Sequence, residues 1–121
     1  MSSTSIKSIL EAAAAGKTAE ALTGTIALLQ ERPDCPYLLV WHAVLIQVQD
    51  PVGEQTLEEA EASLLRAHAT DANYIPALEE LAHYYDAVKP DPIKARAFAS
   101  AYIETSRKVL DEMQAIVDAP A

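Results

Sequence analysis

Apolar residues recur at spacings of three and four along almost the whole chain, and the alternation of apolar and polar residues that marks a half-buried strand is nowhere sustained. The stretch LEEAEASLLRAHATDANYIPALEELAHYY, Leu57 to Tyr85, shows the organisation most plainly. Ala60, Leu64 and Ala67 fall on one helical face, Asp71-Ala72-Asn73 interrupts, and Leu78, Leu81, Ala82 and Tyr85 resume the same spacing. Turn and cap chemistry also marks Gly16-Lys17, Arg32-Pro33-Asp34, Asp50-Pro51-Val52-Gly53 and Lys89-Pro90-Asp91-Pro92. Five breaks leave six helical segments, so the expected fold is all-α.

Local signals place several of the helix starts. Thr56 and Glu59 have the spacing of a capping box, in which the hydroxyl accepts from a free amide and the glutamate reaches back to the cap. Asp91-Pro92 predicts another start, because proline at the first helical position gives up only an amide that had no partner. Pro76 lies early enough in its helix to be tolerated for the same reason. The last segment, 92–118, would run about 40 Å unbroken. Oppositely charged pairs at i,i+4, Glu104–Lys108, Arg107–Asp111 and Lys108–Glu112, help it extend. Phe98, Tyr102, Val109, Leu110, Met113 and Val117 carry an apolar stripe to its end, and that stripe calls for a cover.

The order of small and large residues resembles the tetratricopeptide repeat, W-x2-L-G-x2-Y on a first helix and A-x3-F-x2-A-x4-P on a second, with a period of 34 residues. Leu78, Leu81, Ala82 and Tyr85 fall at the W, L, G and Y places, and Phe98 and Ala101 at the F and second A places. Lys94 departs from the first small-residue place, which Ala95 fills if the preceding turn is one residue longer. Gly16, Ala21 and Pro33 have the family spacing in an earlier repeat, where Thr25 and Leu28 depart from F and A. The middle repeat has two registers. Either Leu39, Ala43 and Ile46 hold the packing places, with His42 in a leucine slot, or Trp41, Val44, Leu45 and Val48 hold them.

The resemblance implies a single domain, 1–121, built as an α-solenoid of about three helix-turn-helix hairpins (2–35, 36–74 and 75–108) with a long last helix extending over 109–118. A closed helical bundle is the competing arrangement. In the resembled family the first helix of each hairpin lines a concave face. Here that stripe comprises Ile6 and Leu10, then Tyr37, Val40 and Val44, then Glu79, His83 and Asp86; in the other register Leu39, His42 and Ile46 replace the middle set. It is apolar early and acidic late. The members of the family that grip the C-terminal carboxylate of chaperones need lysine, arginine and asparagine on these places, and none is present. The expected partner is another protein, a helix or extended segment that is apolar with basic flanks.

Charge narrows the function further. Eighteen acidic against nine basic side chains give a net charge of -9, which repels phosphate backbones and anionic lipid headgroups, so neither nucleic acid nor membrane is an expected partner. The same charge supports a second reading, an acidic inhibitor or immunity-type protein that masks a basic partner. The longest apolar run, YLLVWHAVLI, falls well short of the ~20 residues that span a bilayer, and a cytoplasmic location is expected. Cys35 is the only cysteine, so no intrachain disulfide or thiolate metal site is expected. His42, His68 and His83 lie on different segments without metal-ligand spacing. Phosphate loops and nucleophile motifs do not occur, so no enzyme activity and no cofactor are expected. With so few repeats, a second copy of the chain is a further candidate to cover the apolar stripe.

Overall fold

The computed structural model describes residues 5–49 and 56–121. Among them run six α-helices, α1 (Ile6–Ala14), α2 (Thr18–Glu31), α3 (Pro36–Gln47), α4 (Leu57–Thr70), α5 (Ile75–His83) and α6 (Pro92–Asp118), with one π-helical turn, Tyr84–Val88, directly after α5. The class is all-α. The break expected over Asp50 to Gly53 lies outside the described residues. The helices form two compact units that divide between Ala72 and Asn73, each with its own packing.

In the first unit α1 packs on α2, α2 on α3 and α3 on α4. A reciprocal cap opens α1: Ser5 Oγ accepts from the Ser8 amide at 3.2 Å, and Ser8 Oγ accepts from the Ser5 amide at 3.0 Å. Gly16, at φ 77°, ends the helix, since the left-handed conformation costs glycine no Cβ clash. Lys17 N–H then reaches the Ala12 carbonyl at 2.8 Å and Gly16 N–H the Ala13 carbonyl at 3.1 Å, the paired bonds of a Schellman stop.

Small residues bring these helices together. Ala12, Ala21, Ala43, Ala60 and Ala67 are all buried, beside the larger Ile9, Leu22, Leu38, Leu39, Leu45, Ile46 and Leu64. Thr25 takes a fully buried place where the repeat pattern has phenylalanine. Its hydroxyl donates to the Ala21 carbonyl at 2.8 Å, which removes the cost of burying it. On α4, Thr56 Oγ1 accepts from the Glu59 amide at 3.2 Å, half of the expected capping box.

Helix α3 is apolar at nearly every position because it lies against both α2 and α4. Burial nevertheless resolves two faces. Leu38, Leu39, His42, Ala43, Leu45 and Ile46 point into the unit, whereas Tyr37 is exposed and Val40, Trp41 and Val44 are half-buried on the other side. Of the two candidate packing sets, Leu39, Ala43 and Ile46 are all buried, whereas in the other only Leu45 is.

The second unit is a hairpin of α5, with its π-turn, against α6. Lys89 N–H bonds the Tyr84 carbonyl at 2.9 Å, the i→i+5 closure that takes in one more residue than an α-turn. Both Tyr84 and Tyr85 are buried there, edge to face at 5.3 Å and 89°. Tyr85 stacks on Phe98 of α6 at 5.9 Å and 13°, and Lys94 Nζ lies 5.1 Å from the Tyr85 ring centroid. Ala95 is half-buried where Lys94 is exposed, and the π-turn takes in an extra residue ahead of the Lys-Pro-Asp-Pro turn. Asp91 Oδ1 caps α6 by accepting from the Lys94 amide at 3.2 Å.

Helix α6, at 27 residues, far outruns its partner. Phe98, Ala99, Tyr102, Thr105 and Ser106 are half-buried on its inner face, but from Arg107 onward every residue is exposed, Ile116 at 68% and Val117 at 76%. No described residue covers the outer part of the stripe. Glu104 and Lys108 form the expected i,i+4 pair at 3.7 Å.

Candidate functional site

The open face of α3 gathers the apolar positions expected to line a groove. Tyr37, Val40 and Val44 share it, and on α1 Ile6 and Leu10 are exposed beside the buried Ile9 and Ala12. Trp41 joins the α3 face, its ring edge to face with Tyr37 at 6.5 Å and 65°. It follows Tyr37 by four residues and precedes Val44 by three, so the spacing was available in the sequence. What hid it was its role as a packing residue in the competing register. Leu39, His42 and Ile46, the alternative lining, are buried.

The polar members lie in the second unit. Glu79, His83 and Asp86 are exposed on one side of α5 and its π-turn. Each unit therefore presents its own patch, apolar and aromatic in the first and mainly acidic in the second.

Beside Glu79, burial holds the Glu80 carboxyl above the usual carboxylate range, the Glu79 charge adds to the rise, and His83 opposes it. Because the folded state holds this proton more tightly than the unfolded chain, ionisation destabilises the fold. The cost develops as pH rises through the ordinary glutamate range near pH ~4 and is complete above the raised folded value. Glu80→Gln is expected to raise stability at neutral pH by less than about 1 kcal/mol, with the gain vanishing in acid. Melting curves of both proteins at neutral and acidic pH check this; a gain that persists in acid contradicts it.

On the other side of α3, a cleft of about 490 Å3 opens between α2 and α4. Ile26 and Leu29 of α2 and Leu39 of α3 supply apolar wall, and Glu59 and Arg66 of α4 stand at its rim. His42 Nδ1 and Ser63 Oγ meet in it at 2.7 Å, their residues only 9% and 8% exposed. This contact accounts for a histidine on the packing face of α3: a polar ring is buried where a hydroxyl from the next helix answers it. The signal could not be read from either residue alone, since 21 positions separate them. Arg66 is tied to Asp34, its Nε and Nη2 each 2.7 Å from Oδ1, and fastens α4 to the segment that enters α3.

Among the described residues no group of three or more histidine, cysteine or carboxylate side chains could hold a metal ion, and no helix is long and apolar enough to cross a membrane. Cys35 is half-buried immediately before α3, at the N-cap place. Compared with known proteins, the chain matches no family model, no curated protein and no solved structure.

Proposed function

We propose that the protein is a non-catalytic interaction module, an adaptor or chaperone-like subunit of tetratricopeptide-like build, that holds a helical or extended segment of another protein. The observation that carries this reading is the face of α3 turned away from its buried residues, where exposed Tyr37 and half-buried Val40, Trp41 and Val44 form an apolar and aromatic stripe. Packing in chain order, α1 to α2 to α3 to α4 and α5 to α6, is also the pattern of stacked hairpins.

Magnitudes separate the contributions. Burying ~300 Å2 of apolar surface contributes roughly 7 kcal/mol at ~25 cal/mol per Å2. An exposed ion pair to Glu79 or Asp86 adds ~0.2–1 kcal/mol, and association itself costs at least ~4 kcal/mol. Affinity then rests on the apolar stripe of the first unit, and the acidic patch of the second unit is a separate and weaker surface. The partner segment that fits is apolar with lysine or arginine at its ends; the guanidinium or ammonium also suits the faces of Trp41 and Tyr37.

Val40→Asp is expected to reduce capture of a partner from lysate at least tenfold, as the loss of a contact of about 1.4 kcal/mol would do, and to leave helical content unchanged. The comparison is made at low and high salt, with circular dichroism on both proteins. Capture that survives high salt and is lost in the variant supports the apolar stripe. Capture abolished by salt and indifferent to the substitution supports instead an acidic inhibitor acting through the -9 charge.

A further inference from the structure

We propose that the cleft between α2 and α4, on the side of α3 opposite the Tyr37–Trp41 stripe, is a second binding site that takes a primary amine carried on an apolar stem. Its volume of about 490 Å3 lies within the ~300–1,000 Å3 range of small-ligand sites. The floor is already built for a polar group. Ser63, more than nine-tenths buried, faces His42 at 2.7 Å; whichever of the two donates, the hydroxyl keeps a lone pair able to accept from a ligand.

The rim decides the sign of the ligand's charge. Arg66 has two guanidinium nitrogens on Asp34 and its cation is already matched. Glu59 lines the same cleft and makes no ion pair among the described residues, so the uncompensated charge is negative. Glu59 and Ser63 are four residues apart on α4 and lie on one helix face. An ammonium lodged between them meets a carboxylate and a hydroxyl, while a hydrocarbon stem runs over Ile26, Leu29 and Leu39. A carboxylate ligand in the same place would face Glu59 directly. Both a free amine and the side chain of a partner's lysine have this chemistry.

The test uses the full chain with hexylammonium, hexanol and hexanoate as probes, followed by nuclear magnetic resonance at the methyls of Ile26 and Leu39 and the amide of Ser63. Hexylammonium is expected to bind most tightly and hexanoate most weakly. Glu59→Gln should weaken hexylammonium about two- to fivefold, the range of one exposed ion pair, and leave hexanol unchanged. A capped lysine peptide that displaces hexylammonium from these resonances assigns the site to a partner's side chain; failure to displace assigns it to a free amine. Hexanoate binding as tightly as hexylammonium, shifts confined to other residues, or an unchanged hexylammonium affinity in Glu59→Gln overturns the proposal. Val40→Asp should leave the ranking untouched, so the cleft and the α3 stripe stand or fall separately.

Discussion

Replacing Tyr85 with alanine is expected to lower the unfolding free energy of the second unit by about 3–5 kcal/mol, the range for deleting a buried aromatic ring. The ring is 1% exposed and holds three things together: Tyr84 edge-on within the π-turn, Phe98 stacked from α6, and Lys94 over its face. Aromatic pairs contribute about 0.5–1.5 kcal/mol beyond the area they bury, so the loss should sit near the top of that range. α6 contributes no fully buried residue of its own, which leaves this contact an unusually large share of what joins it to α5. Total stabilities of ordinary domains are only ~5–15 kcal/mol, and the variant should therefore show extensive opening of 73–121. Urea unfolding combined with amide exchange over that unit measures it. Tyr85→Phe keeps the stack and should cost no more than about 1.5 kcal/mol. If the alanine variant loses less than the phenylalanine variant, the stack is not what joins the hairpin.

The second large effect concerns His42 and Ser63. Ser63→Ala strips the hydroxyl from a buried imidazole and should cost about 1–3 kcal/mol. His42→Leu should cost less, because a helical serine left without its partner can bond back to the carbonyl four residues earlier. Combining the two places a leucine against an alanine, an apolar pairing, and should recover much of the Ser63→Ala loss. A coupling of about 0.5–3 kcal/mol between the substitutions is expected from a double-mutant cycle in urea. Strict additivity would mean that the 2.7 Å contact carries no net energy.

The helix ends were legible wherever the signal is local. Thr56, Asp91-Pro92 and Gly16 announce themselves through caps and stops that involve neighbours within a turn or so. The reciprocal cap of Ser5 and Ser8 went unread because serine stands where a capping box has glutamate or glutamine. Phase was the harder problem. On α3 nearly every position is apolar, so periodicity carries no direction there, and only burial separates Leu39, Ala43 and Ile46 from Tyr37, Trp41 and Val44. The π-turn was invisible for a related reason: Tyr84-Tyr85 reads as ordinary helix until its i→i+5 bond is seen. The cleft was illegible altogether, since the spacing of Thr56 and Glu59 predicts only a capping box and His42 stands alone in an apolar run.

The bare final turns of α6 have a dynamic consequence. Roughly a dozen helical residues beyond Ser106 are exposed and covered by none of the described residues, and isolated helices shorter than ~12–15 residues are marginal in water. Only the junction with the anchored half spares them the cost of nucleation, so they should fray from Asp118 inward, opening and reclosing many times for each opening around Tyr85. One continuous rod therefore spans both extremes of local stability, a clamped root and a tip near its own melting point.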